Sequence, residues 1–433
     1  MSVSVTSGLA VLGGPKAVTA DVREQWRRPV DEEKAAVCEL LDEGAISCAG
    51  VGLPKRFEDE FRAFVGCKYV LSYSHGHLAL ASAFFAAGVG AGDEFIHPTF
   101  GGYIGSYVGP LHAGAKPVFC EPDRRTLLAD PTDIARRINS RTRAISPIHL
   151  NGRVCDMDAL LGLCRQHNLT LIEDAAHAHG SEWGGRRIGN VGHVACFSLQ
   201  GVDPGGKPVT AGEGGVLATN DRHIYERAMI YGQLHRTGIL DELKDSAYGE
   251  MENQVLGWKW RAHPLALAVA RVSLKTLPFR MRSFAESREE LVEGLKGMPG
   301  MALAGNYPKS RGSELYGGLR FIYQPEELGG LSAARFCEAL RAEGVPANLS
   351  GLRTPEHLRS IYTRDFPGLW GRGHSGPANI PLPRYRRGDY PVAERLFDNG
   401  IVCLSGWIQP APGAVAQVAA GIRKVVDRHK DLL

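Results

Sequence analysis

The chain has 433 residues, which is too long for one ordinary hydrophobic core and predicts two domains. Its hydrophobic fraction of 44% is typical of a globular protein, and a net charge of +3 argues against nucleic acid or an anionic membrane as partner. The nine cysteines lack the two-residue spacing of metal sites and no apolar run could span a membrane, so we expect a cytoplasmic protein without a bound metal.

The N-terminal region is predicted to be an extended arm over residues 1–30. Its apolar run LAVLGGPKAV is broken by Gly-Gly-Pro, which disfavours a helix. A helix is expected to follow from Asp31, because acidic residues occupy its first turn and Gly44 can end it.

Strand and helix patterns alternate from about residue 65 to residue 220. Apolar runs such as FIHPTF and TRAISPIHL read as buried strands, and Asp130 with Pro131 marks the start of a helix between two of them. This alternation predicts an α/β fold with a mostly parallel sheet and helices on both faces. A ligand is then expected outside the carboxyl ends of the strands.

A glycine turn, Ser74 to His77, connects a strand to an alanine-rich helix. The first amides of a helix have no partner within the helix and favour an anion in front of them. Gly76 and His77 are therefore candidates for a phosphate-binding turn, although a purely structural turn would have the same pattern.

The segment 169–215 concentrates residues suited to chemistry. Asp174 ends an apolar strand run, and Lys207 lies among glycines and small residues. Pyridoxal phosphate (PLP) requires such a pair, a carboxylate for its ring nitrogen and an amine for a Schiff base. A solvated surface lysine is the alternative interpretation.

Several motifs resemble, in order, the DegT/StrS sugar aminotransferases. They are EDAAHAHG (173–180), FSLQ (197–200), TAGEGG (210–215), SPIHLNGRVCDMDAL (146–160) and GWKWRAHPLALAVA (257–270). The resemblance implies a fold-type-I PLP-dependent transferase. We expect a large PLP-binding domain over residues 31–280 with a mostly parallel sheet of the seven-stranded type, and a small C-terminal α/β domain over 281–433.

The same resemblance assigns roles to single residues. Lys207 would form the Schiff base and move protons, Asp174 would hold the ring nitrogen protonated, and His177 would contact the cofactor's phenolic oxygen or a ring face. Ser198 matches a phosphate-binding serine. Lys259 matches a residue that reaches the cofactor phosphate of a neighbouring subunit, which implies a homodimer with shared active sites.

Three positions depart from the family pattern. His77 stands where the family has threonine, and Gly102 stands where an aromatic ring usually stacks on the cofactor, with Tyr103 or Phe100 as its substitute. The segment GVDPGG adds a few residues before Lys207.

The predicted function is transfer of an amino group from glutamate or glutamine to a keto-sugar or keto-cyclitol, in amino-sugar or secondary-metabolite biosynthesis. PLP chemistry of another outcome on an amino acid (dehydration, oxidation or decarboxylation) and a non-catalytic regulatory role remain alternatives. Arg320 or Arg384 could bind a substrate carboxylate or phosphate, or simply be surface charges.

Overall fold

The structure of the chain is a computed structural model. It describes residues 8–433 except residues 24, 255–256, 351–353, 367–368, 371–375 and 405, and it does not describe the side chains of residues 252–254. The first seven residues of the predicted arm therefore lie outside the described residues.

Within the described ranges, nine strands lie between residues 69 and 219. They are β1 (Tyr69–Tyr73), β2 (Glu94–Pro98), β3 (Lys116–Cys120), β4 (Thr142–Ile145), β5 (Thr170–Asp174), β6 (Glu182–Trp183), β7 (Arg186–Arg187), β8 (Val194–Ser198) and β9 (Gly215–Thr219).

Seven of these strands make one sheet in the order β1-β9-β8-β5-β4-β2-β3. The neighbours from β8 to β3 pair in parallel, and β9 runs antiparallel to both β1 and β8. Strands covered on both faces read as continuous apolar runs, as the sequence does here. The prediction of a mostly parallel seven-stranded sheet is confirmed.

Among the residues that the structure describes, nine α-helices lie between residues 30 and 294. They are α1 (Val30–Asp42), α2 (Gly52–Val65), α3 (Gly76–Ala86), α4 (Val108–His112), α5 (Pro131–Arg137), α6 (Met157–His167), α7 (Arg222–Gly232), α8 (Ile239–Leu243) and α9 (Pro264–Gly294). The Asp130 side chain caps α5 by accepting from the Thr132 N–H at 2.8 Å, as its sequence predicts.

A second sheet forms after α9. Its order is β10-β12-β14-β13, built from β10 (Met301–Leu303), β12 (Leu319–Tyr323), β13 (Ala347–Leu349) and β14 (Ile401–Leu404), while β11 (Ser310–Arg311) pairs with β6. The described α-helices of this region are α10 (Ala333–Ala342), α11 (Ser360–Thr363), α12 (Pro391–Asn399) and α13 (Ala414–Asp427).

The buried hydrophobic side chains form two main clusters, one around each sheet. The long helix α9 continues unbroken past residue 280, where we placed the domain boundary. That boundary remains a prediction, since α9 serves both halves. In the part of the chain that is described, no helix combines the length and apolarity needed to cross a membrane.

Candidate functional site

A cavity of about 910 Å³ opens where several strands of the seven-stranded sheet end. Its walls include Asp174, the last residue of β5, and Ser198, the last residue of β8. Side chains from the second half of the chain, including Tyr316 and Arg320, close the opposite wall. This is the carboxyl edge at which the fold class leads one to expect a ligand.

Lys207 projects into this cavity from the loop between β8 and β9. Its Nζ lies 3.8 Å from the centroid of the Tyr316 ring, and its backbone N–H donates to the Gln200 carbonyl at 3.0 Å. An ammonium over an aromatic face is stabilised by the ring quadrupole. The Tyr316 ring therefore holds the Lys207 amine in the cavity. No sequence motif had pointed to this tyrosine.

Asp174 lies on the floor of the same cavity and is buried. Its Oδ2 accepts from the Ser106 hydroxyl at 2.5 Å, and its Oδ1 accepts from the Ala176 N–H at 3.0 Å. Burial raises the pKa of this carboxyl group, while the Ser106 hydroxyl opposes that rise. A cationic ligand group beside Asp174 would therefore offset a desolvation cost.

The turn before α3 packs closely against the ends of β8 and β9. A Cβ added to Gly76 would lie 3.0 Å from the Ser198 Cβ, and one added to Gly215 would lie 2.5 Å from the His75 carbonyl oxygen. Larger residues would push the turn away from the strands. The glycines thus place the amide end of α3 at the cavity, where partial positive charge favours an anion.

His77 stands half-buried in the first turn of α3, and its ring lies 5.4 Å from that of His75. Burial and the neighbouring His75 lower the pKa of His77. Its imidazole is accordingly a neutral donor or acceptor at neutral pH, in the position where a threonine hydroxyl was expected.

His177 lines the cavity beside Lys207. Its ring lies on that of Tyr316, with centroids 4.3 Å apart and planes 27° apart, and its Nδ1 accepts from the Asn151 N–H at 3.2 Å. Nδ1 therefore carries no proton, and the neutral ring has its proton on Nε2. Burial, and after it the charge of Lys207, lowers the pKa of His177 well below its ordinary value.

The position of the expected stacking ring is filled by an acid. A Cβ on Gly102 would lie 2.2 Å from Cγ of Glu356, which reaches over from the segment after β13. The Glu356 carboxylate accepts from the Tyr107 hydroxyl at 2.6 Å and from Nε of Arg359 at 2.7 Å. Tyr103 lies on the cavity wall and is 66% exposed.

Phe100 also lines the cavity, but its ring is buried against Phe397 at 5.1 Å. Of the two aromatic residues that the sequence suggested, Tyr103 is therefore the one whose exposed side chain is able to contact a ligand.

The inserted residues before Lys207 are anchored in the protein. Asp203 forms a buried ion pair with Arg280 of α9 at 3.0 Å, and its Oδ2 accepts from the Ser273 hydroxyl at 2.8 Å. Nη2 of Arg280 also donates to the carbonyl of Pro208, which follows Lys207 directly.

Lys259 lies outside this cavity. It is exposed, and its backbone pairs with that of Gln233. The single chain thus brings together Gly76, His77, Tyr103, Asp174, His177, Ser198 and Lys207, and leaves Lys259 on the surface.

Of the two candidate arginines, the structure places only one in the cavity. Arg320 lines the cavity, whereas Arg384 is exposed and pairs with Asp365 outside it. Ser106, Asn151, Tyr316 and Arg320 complete the site, and of these the sequence pointed only to Arg320.

Residues 28–370 match the DegT/DnrJ/EryC1/StrS aminotransferase family. The L-glutamine:scyllo-inosose aminotransferase of Streptomyces griseus is 30% identical over 98% of this chain and 99% of its own length. GDP-perosamine synthase of Escherichia coli O157:H7 is 34% identical over 56% of this chain and 63% of its own.

Among solved structures, S. venezuelae DesV in complex with a ketimine intermediate is 28% identical. The match has a TM-score of 0.73 and covers 92% of this chain and 95% of DesV.

Proposed function

Because the chain belongs to the DegT/DnrJ/EryC1/StrS aminotransferase family, we propose that it transfers an amino group from glutamine or glutamate to a keto-cyclitol or keto-sugar with PLP as its cofactor. A keto-cyclitol is the preferred acceptor, since the S. griseus relative named for scyllo-inosose aligns with nearly the whole chain. This substrate class suits amino-sugar or antibiotic biosynthesis. We place the protein in the cytoplasm.

The convergence of Lys207 and Asp174 on one cavity carries the proposal. An amine and a buried carboxylate face that cavity together with the amide end of α3. This donor set fits PLP, whose phosphate suits the turn at Gly76 and Ser198, whose ring nitrogen suits Asp174 and whose aldehyde suits Lys207. The close packing at Gly76 supports the fit, because a side chain there would displace the turn from Ser198.

When bound, PLP supplies an aldehyde that exchanges with amines and a ring that withdraws electrons, so it can carry an amino group from donor to acceptor. Lys207 is proposed as the base and acid that moves a proton at the substrate carbon, with Tyr316 holding its Nζ. Asp174 supplies a fixed negative charge, and neutral His177 supplies an Nε2–H donor.

A symmetric dimer with shared sites is part of this proposal. The exposed position of Lys259 leaves it available to a second copy of the chain, whose cofactor phosphate it would contact.

Incubation with one amino-acid donor and no acceptor tests the function. A transaminase must stop after releasing about one equivalent of keto acid per site, because the amino group then stays on the enzyme. The visible absorbance of the bound cofactor should fall in a single turnover, whether or not oxygen is present. Lys207→Ala is the control and should release no keto acid. Continuous consumption of the amino acid, oxygen uptake or carbon dioxide release would point instead to PLP chemistry of another outcome.

A further inference from the structure

Arg320 has an unusual electrostatic environment for a half-buried arginine. It lies on β12 and lines the same cavity as Lys207. Its Nε donates to Oδ1 of Asn151 at 3.1 Å, and its Nη1 contacts the Cys403 thiol. Among the residues that the structure describes, no carboxylate comes within the 4.0 Å of an ion pair with its guanidinium.

Among the described residues that line the cavity, the other arginine, Arg359, differs in this respect. Nη2 of Arg359 forms an ion pair with the Glu356 carboxylate at 2.6 Å, so the charge of Arg359 is already balanced by an anion. A guanidinium withdrawn from water without an anion is costly, and a ligand anion removes that cost. Arg320 is therefore the stronger anion-binding group of the two.

Asn151 fixes the direction of Arg320. Its side-chain oxygen accepts from Arg320, its side-chain nitrogen donates to the Tyr316 carbonyl at 3.2 Å, and its N–H donates to His177. Asn151 has a φ of 56°, a left-handed conformation that asparagine tolerates better than most residues. One residue thus ties Arg320 to the ring that holds Lys207.

We propose that Arg320, positioned by Asn151, binds the carboxylate of the amino-acid donor while the amino group of that donor faces Lys207. This rests on the proposed function and names the donor subsite of the same cavity. A neutral keto-cyclitol has no anion for Arg320, whereas every amino-acid donor has one. A nucleotide-linked keto-sugar would offer a diphosphate to the same guanidinium, so the test must separate these two anions.

The test compares Arg320→Gln with Arg384→Gln, an exposed arginine outside the cavity. Two donors are used, L-glutamine and its α-amide, in which a neutral amide replaces the carboxylate. Arg320→Gln should weaken use of glutamine roughly 10- to 100-fold through its KM, because a charge-assisted hydrogen bond is lost. Use of the α-amide should not change. Arg384→Gln should behave as wild type, and Arg320→Lys should recover part of the preference for glutamine.

A binding measurement complements the kinetics. Calorimetric titration with glutarate, a dicarboxylate without an amino group, should show the same loss of affinity in Arg320→Gln. Asn151→Ala should weaken glutarate binding as well, since the guanidinium loses its orienting partner. Pyrophosphate is titrated in parallel as the probe for a nucleotide-linked substrate.

Wild-type glutarate affinity and an unchanged preference for glutamine in Arg320→Gln would overturn the assignment. Loss of pyrophosphate binding without loss of glutarate binding would overturn it too. Borohydride labelling of Lys207 in each variant keeps the two ideas apart. If Lys207 is labelled in Arg320→Gln and carboxylate binding is normal, only the assignment of the donor subsite is refuted. If Lys207 is not labelled in the wild-type protein, the proposed function itself is refuted.

Discussion

The carboxylate of Asp203 and the guanidinium of Arg280 lie 3.0 Å apart, with side chains only 1% and 2% exposed. This pair fastens the loop before Lys207 to the helix that connects the two halves of the chain. Arg280 also donates to the Pro208 carbonyl at 2.8 Å, so it contacts the loop on both sides of Lys207.

Asp203→Asn should lower the free energy of unfolding by about 3–5 kcal/mol, because it leaves the Arg280 charge buried without its partner. Urea unfolding followed by circular dichroism measures the change. The exposed pair Arg387 and Asp398 provides the control, and Asp398→Asn should cost at most about 1 kcal/mol. Equal losses in the two variants would show that burial of the Asp203 pair is unimportant.

Lys207 is expected to carry the cofactor. Borohydride treatment of protein saturated with PLP, followed by peptide mapping, should place the adduct on Lys207. Lys259→Ala is the matched variant, and it should retain that adduct because Lys259 lies outside the cavity of its own chain. An adduct on Lys259 in the wild-type protein would refute the assignment.

Asp174→Asn should keep the cofactor and lose roughly 100-fold or more in turnover, since a neutral amide cannot stabilise a protonated ring nitrogen. Ser106→Ala is the comparison, because it removes a hydrogen bond to Asp174 and leaves the carboxylate. Its loss should be smaller. Steady-state rates at saturating donor measure both, and full activity of Asp174→Asn would eliminate the proposed role.

Two buried histidines should make stability depend on pH. Burial lowers the pKa of His97 and of His179 to about 3 each. Their ordinary pKa is about 6.5, so between these values the unfolded chain binds more protons than the native one. These histidines therefore leave stability independent of pH above about pH 6.5, whereas between about pH 6.5 and pH 3 each one removes up to roughly 1.4 kcal/mol of stability per pH unit.

His179→Phe tests this reasoning, because the ring lies among Phe61 and Phe197. Urea midpoints at pH 7 and pH 5.5 should differ less in this variant than in the wild type. The solvent-exposed His167 on α6 is the control position, and His167→Phe should keep the wild-type difference. A wild-type difference in His179→Phe would contradict the prediction.

Shared active sites predict complementation between inactive chains. Lys207→Ala and Lys259→Ala proteins, mixed and allowed to exchange subunits, should form hybrid dimers with one intact site. Activity should then return to roughly a quarter of the wild-type level if chains pair at random. No recovery, with exchange shown by mass spectrometry of the native dimers, would argue that each chain builds its own site.

The sequence predicted most reliably what depends on local patterns. Alternating strand and helix runs predicted a mostly parallel sheet, the family resemblance implied its seven strands, and Asp130 with Pro131 marked the start of α5. The carboxyl-edge rule brought Asp174 and the turn at Gly76 to one place, because parallel strands all end on the same side of a sheet.

Contacts between distant segments could not be predicted in this way. Ser106 and Tyr316 belong to no motif, and they reach Asp174 and Lys207 only through the folded backbone. The anchor at Asp203 was hidden for the same reason, since its partner Arg280 lies on another element. From sequence alone, the insertion before Lys207 predicts only a longer loop, because the sequence does not show which distant residues anchor it.

The Glu356 side chain occupies the space that a side chain at position 102 would need, so the two positions can change only together. An aromatic residue introduced at Gly102 alone would collide with Glu356, whose Cγ lies 2.2 Å from the place of the new Cβ. Removing Glu356 alone would release Arg359 and leave the Tyr107 hydroxyl without its acceptor. A redesign that places an aromatic ring at Gly102 would therefore have to alter both positions in one step.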